Sequence, residues 1–211
     1  MVNCPLAVPQ AMRPEALMRR MYLLRQRLMG GYVFIHINKC GGSSVEAALG
    51  IPVKVHDTAL QRRRKIGRNR WERAFTFSIV RHPYSRVISQ YAYRVRTNQT
   101  RLATAGLGLN EWIRRAYRDR QRPYYDQPRM FAPCKRWLTD ESGKLMVDIV
   151  AKLETIDADW PIIEERIGRE VALPHHNATP APGWEALDRG ARRIIDARFR
   201  DDFEAFGYSP G

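Results

Sequence analysis

Residues 32–49 read Y-V-F-I-H-I-N-K-C-G-G-S-S-V-E-A-A-L. Tyr32 to Ile37 have strand composition, Asn38 to Gly42 have turn composition, and a helical pattern opens at Ser43 and Ser44. Such a corner suits an anionic group. Gly41 and Gly42 let the backbone approach a ligand closely. The helix N-terminus presents unpaired N–H groups and about half a positive charge. Lys39, Ser43 and Ser44 add a full charge and two hydroxyl donors. Lysine precedes the glycines here, whereas a Walker A loop places it after them. Cys40 sits inside the turn. A thiol at a helix N-terminus ionises more readily, but no histidine is fixed beside it by sequence, so it is read as a spacer.

A second unit of the same kind follows. F-T-F-S-I-V (Phe75–Val80) is a buried-strand pattern, Arg81-His82-Pro83 is a turn with proline at a helix start, and Tyr84–Val95 is helical with Val87, Tyr91 and Val95 on one face. The helix between the two strands makes a parallel βαβ arrangement natural. A third apolar run, Leu145–Ala151, reads as another strand. Strands alternating with helices give an α/β fold with a mainly parallel sheet.

Around these units, Pro14 opens a helix to about Met29, with Leu17, Met21, Leu24 and Leu28 on one face. That stripe fits packing against the domain; the alternative is a basic helix on an anionic membrane surface. Asp57 or Thr58 caps a helix over 59–66 that Gly67 stops. Residues 111–118, 129–138, 157–168 and 188–206 are expected to be helical. Residues 1–12 are expected to form a flexible tail and 13–211 a single domain.

The 211 residues suffice for one large domain with a real core. With 36 Lys+Arg against 22 Asp+Glu the net charge is +14, a field that attracts polyanions. Apolar runs fall short of a membrane span, and arginines interrupt every one near the start. Three cysteines without C-x-x-C spacing argue against a disulfide scaffold or a zinc site and for a reducing, cytoplasmic setting. No metal-ligand cluster and no nucleic-acid motif is found.

The pair I-N-K-C-G-G-S-S and R-H-P-Y-S-R-V-I-S-Q-Y resembles the PAPS-dependent sulfotransferases, nearest the branch with carbohydrate and bacterial members. V-A-K-L-E (Val150–Glu154), L-P-H-H-N (Leu173–Asn177) and F-E-A-F-G-Y (Phe203–Tyr208) extend the likeness over most of the chain. Asn38 stands where the family usually has proline, a departure that bears on the rigidity of the turn more than on its charge. The resemblance implies a P-loop-like three-layer sandwich and transfer of a sulfuryl group from PAPS, leaving PAP, to an acceptor hydroxyl, with no metal. In that reading Lys39, Cys40, Gly41, Gly42, Ser43 and Ser44 hold the 5′-phosphosulfate, Arg81 and Ser89 the 3′-phosphate, and His176 and Asn177 approach the cofactor.

Lys39 would neutralise the leaving oxygen. His56, in V-H-D-T-A, is the candidate base, with Asp57 the rival carboxylate. Glu154 is read as structural and paired with arginine, His36 as structural, and His82 as shaping its turn. The acceptor is expected to be a carbohydrate, glycolipid or other anionic envelope molecule, with peripheral membrane contact in keeping with the charge. A P-loop-type nucleotide kinase or NTPase and a non-enzymatic polyanion-binding module are the alternatives.

Overall fold

The computed structural model describes residues 14–29, 31–174 and 181–211; the expected tail lies outside them. Its centre is a parallel sheet of three strands, β1 (Tyr32–Ile35), β2 (Phe75–Val80) and β3 (Ile149–Lys152), in the order β1-β2-β3. Val33 lies opposite Thr76, and Ser78 opposite Val150. Every residue of β2 is buried, as befits a central strand covered on both faces. Its two polar side chains are satisfied within the sheet. Ser78 donates to the Ile35 carbonyl at 2.8 Å, and Thr76 donates to Asp148 at 2.8 Å.

Helices cover both faces, so the sheet is the middle of three layers. On one face Phe34, Phe77, Ile79 and Ala151 pack with α2 (Gly42–Leu49) and α8 (Ile156–Ile167). On the other, Val33, Ile35 and Val80 meet α3 (Ala59–Ile66), α4 (Arg68–Arg73) and α7 (Cys134–Leu138). A further cluster gathers Val87 of α5 (Pro83–Arg96), Trp112 of α6 (Leu109–Ile113), Ile195 of α9 (Arg189–Arg198) and Phe203 of α10 (Arg200–Phe206).

The expected α/β architecture is present, and several boundaries follow from local chemistry. Thr58 caps α3 in a reciprocal pair with Gln61, and Asp188 caps α9 by accepting from the Ala191 amide. Elsewhere the structure differs. β1 ends at Ile35, short of Ile37. β3 begins only at Ile149, because Leu145 is drawn into an antiparallel bridge with Thr139. The helix expected over 129–138 breaks at Pro133, which has no amide to donate. The last helix divides at Phe199.

The largest correction concerns α1 (Pro14–Met29). Its leucine–methionine stripe faces outward, and the helix docks through polar groups instead. Arg62 of α3 is 1% exposed, and a guanidinium buried so deeply needs acceptors. Gln26 supplies one at 2.6 Å and Val55 O another at 3.4 Å; Tyr22 lies against the same guanidinium. That demand decides which side of α1 faces the domain.

Candidate functional site

Lys39 to Ser44 follow β1 and Arg81 to Ser89 follow β2, so adjacent parallel strands bring the two segments to the same sheet edge. Such an edge is where ligands of open α/β sheets sit. Both segments border one cavity of about 890 Å³. The residues expected at the site that line it are Lys39, Gly41, Gly42, Ser43, Ser44, His56, Arg81 and Ser89. Cys40 is set apart. Its thiol is buried beneath the turn, 3.6 Å from the Asn38 carbonyl and 3.9 Å from the Cys134 sulfur. His176 and Asn177 lie outside the described residues; Leu173 and Pro174, just before them, reach the cavity wall.

The first turn is held by side chains rather than by a proline ring. Asn38 donates from Nδ2 to the Met130 carbonyl at 3.1 Å and accepts on Oδ1 from Arg86 at 2.9 Å. Arg86 also donates to Asn38 O at 3.2 Å and Ala132 O at 2.8 Å. Buried and multiply bonded, Arg86 clamps the corner and leaves the rigidity that proline would give to hydrogen bonds. Lys39 then adopts a left-handed backbone, with φ of 64°. A residue with a Cβ is disfavoured there.

The glycines have a steric reason as well. A Cβ on Gly42 would lie 2.2 Å from the His36 ring, and one on Gly41 2.7 Å from Leu153. The space behind the turn is filled by protein. His36 is pinned there by Glu46, 2.7 Å from its Nδ1.

The second turn is equally determined. His82 accepts the Tyr84 amide on Nδ1 and lies 3.1 Å from the Ser209 carbonyl on Nε2, which fixes Nε2 as the protonated nitrogen. It shapes its turn as expected. Glu154 is structural, but its partners correct the sequence reading: it takes the His82 amide at 2.7 Å and the Tyr208 hydroxyl at 2.9 Å, and no arginine among the described residues.

Electrostatically the cavity is one-sided. Lys39, Lys54, Arg81, Arg94 and Arg96 line it, and no carboxylate does among the described residues. Arg94 is paired with Asp126 and packs on Phe131. Lys39 has no carboxylate partner among the described residues. Burial, then Arg81, Arg96 and Lys54, pull its pKa from 10.5 down to about 8, and its ammonium rests 4.2 Å above the Tyr93 ring. An incoming anion would reverse that cost.

His56 Nδ1 lies 3.2 Å from the His36 carbonyl, which can only accept, so Nδ1 carries the hydrogen and Nε2 a lone pair. Burial, then the neighbouring His36, holds its pKa down at about 4. Asp57, the rival base, is excluded on geometry. It is 1% exposed and held by Lys65 at 2.6 Å, Arg19 at 3.3 Å and Arg62 at 3.5 Å.

Among the lining residues not read from the sequence, Tyr93, Arg96 and Lys54 were marked by their spacing. Ser89, Tyr93 and Arg96 stand at i, i+4 and i+7 on α5, one helical face. Lys54 and His56 are two apart in an extended segment, which turns both to the cavity and Val55 and Asp57 to the interior. Gln127 comes from the loop before the 129–138 region.

A family model described as the sulfotransferase family matches residues 31–209. No curated protein and no solved structure matches the chain. The match takes in all three strands and both turns that border the cationic cavity, and the chain belongs to the sulfotransferase family.

Proposed function

We propose that this sulfotransferase uses PAPS as donor and sulfates a hydroxyl of a carbohydrate or glycolipid. The observation that carries the reading is the convergence of two turns on one cavity lined by five cations and no carboxylate among the described residues. A ligand with anionic groups at both ends, 5′-phosphosulfate and 3′-phosphate, suits that arrangement. PAPS, when bound, supplies the sulfuryl group.

The chain's own residues have separable tasks. The N–H groups of Gly41, Gly42 and Ser43 and the Lys39 ammonium surround and neutralise the 5′ end. Arg81 and Ser89 hold the 3′-phosphate, with Arg96 as a further cation on the same helix. His56, oriented by the His36 carbonyl, accepts the proton of the acceptor hydroxyl on Nε2. A low pKa keeps that lone pair open at neutral pH, and negative charge arriving in the cavity raises its basicity.

A kinase reading calls for a lysine after the glycines and a carboxylate for Mg²⁺, and neither borders the cavity among the described residues. A simple polyanion-binding module leaves the paired turns without a task.

Calorimetric titration with PAP tests the donor. Micromolar or tighter binding is expected, with a loss of about tenfold or more in Lys39→Ala and in Arg81→Ala. Tighter binding of ATP·Mg than of PAP would overturn the reading. For the base, His56→Ala should lower turnover about 10²-fold or more while PAP affinity stays near wild type. Wild-type turnover in that variant removes His56 from the mechanism.

A further inference from the structure

Six of the nine large hydrophobic residues that are exposed among the described residues lie on α1. Leu17, Met21, Leu24 and Leu28 are 46%, 61%, 53% and 68% exposed. At about 100° per residue they fall within roughly 60° of one another on the helix. Arg19, Tyr22 and Gln26, which hold the helix to the domain, lie on the opposite side. Exposed arginines border the stripe: Arg25 on one flank, Arg20 and Arg27 on the other. Long basic side chains beside an apolar stripe can bury their stems and keep their charges at headgroup level. The helix has 16 residues and is not apolar enough to cross a membrane.

We propose that α1 is a membrane-docking element whose outward stripe inserts into the headgroup layer of an anionic bilayer. Charge decides between the two natural occupants. A second copy would bring two arginine-flanked stripes together, each on a chain of net charge +14, and like charges across an interface oppose pairing. An anionic lipid surface attracts the same flanks. The attachment is also well placed: Arg19 of α1 bonds Asp57, the neighbour of His56 on the cavity wall. Docking would therefore set this wall close to a lipid-borne substrate. The inference itself stands without the donor assignment.

The test is co-sedimentation of the full-length chain with phosphatidylcholine vesicles, with and without phosphatidylglycerol, at about 0.15 M salt. The comparison variant is Met21→Ser/Leu24→Ser/Leu28→Ser, which keeps every charge and leaves the docked side of α1 untouched. Wild type should bind the phosphatidylglycerol vesicles, and the variant should partition at least about tenfold more weakly. Circular dichroism and melting should show the variant folded, and PAP binding should be unchanged. Equal binding by the variant would assign attraction to net charge alone and overturn the proposal. So would absence of wild-type binding, or a wild-type dimer in sedimentation velocity that the variant dissolves while vesicles are ignored.

Discussion

His56 and Asp57 are neighbours in the chain and belong to opposite electrostatic settings. Asp57 sits in a nest of Arg19, Arg62 and Lys65, where buried positive charge is matched at short range. His56 borders a cavity where Lys39, Lys54, Arg81 and Arg96 gather with no lining carboxylate among the described residues. Both regions are basic, and both draw on the arginine-rich composition. What separates a structural cluster from a candidate binding site is whether the protein itself supplies the counter-charge. The Arg62-Arg63-Arg64-Lys65 run shows the same point: Arg62 and Lys65 are spent on Asp57, and Arg64 pairs with Glu141.

Removing the counter-charge from the nest should have the largest effect. Asp57→Ala leaves Arg62 buried without its carboxylate and should cost about 3–5 kcal/mol in denaturant unfolding. A loss below about 1 kcal/mol would mean that Gln26 and the Val55 carbonyl suffice for that guanidinium. In the cavity the sign should invert. Lys39→Ala should lower turnover about 10²–10³-fold, yet leave stability unchanged or slightly higher, since it deletes a desolvated cation crowded by others. A stability loss like that of Asp57→Ala would erase the distinction between the regions.

The next effect is one of pH. With the Lys39 pKa at about 8, PAP affinity should weaken as pH rises through that value, by at most about tenfold per unit, and Lys39→Ala should abolish the step. On stability, the unfolded chain holds the Lys39 proton more firmly between about 8 and 10.5, so this group's contribution rises with pH across that window. The smallest effect belongs to His56. Its folded pKa of about 4 lies below the ordinary 6.5, so the unfolded chain binds more protons between those values. Stability should fall as pH drops through this range, by at most about 3 kcal/mol, and His56→Gln should flatten the decline in urea midpoints.

Much of the scaffold was legible because its signals are local. A six-residue buried-strand pattern with turn residues behind it marked β2 to the residue, and Thr58 with Gln61 marked the start of α3. Both turns could be found because a strand, a basic residue and a helix start are close in sequence. What escaped depends on distant partners. Nothing near Asn38 announces that Arg86 will replace the rigidity of proline, and nothing near Leu24 announces that Gln26 will be claimed by Arg62. Phe199 divides the last helix without glycine or proline to mark it. Asp57 looked like a base until its three cations were assembled around it.

The Asn38–Arg86 clamp has a consequence for how the chain is assembled. The turn after β1 is completed by a guanidinium 48 residues later and by the carbonyls at Met130 and Ala132, which bond these same two side chains. The first strand–turn–helix unit therefore cannot finish its own corner; it is completed only when α5 and the 130–132 segment arrive. An anion held there is bound by the folded chain and not by its fragments. Its binding energy passes into the cooperativity of unfolding, about 2.7 kcal/mol at a hundred times Kd. Melting temperature thus becomes a direct reporter of which anions the corner accepts, before any acceptor has been found.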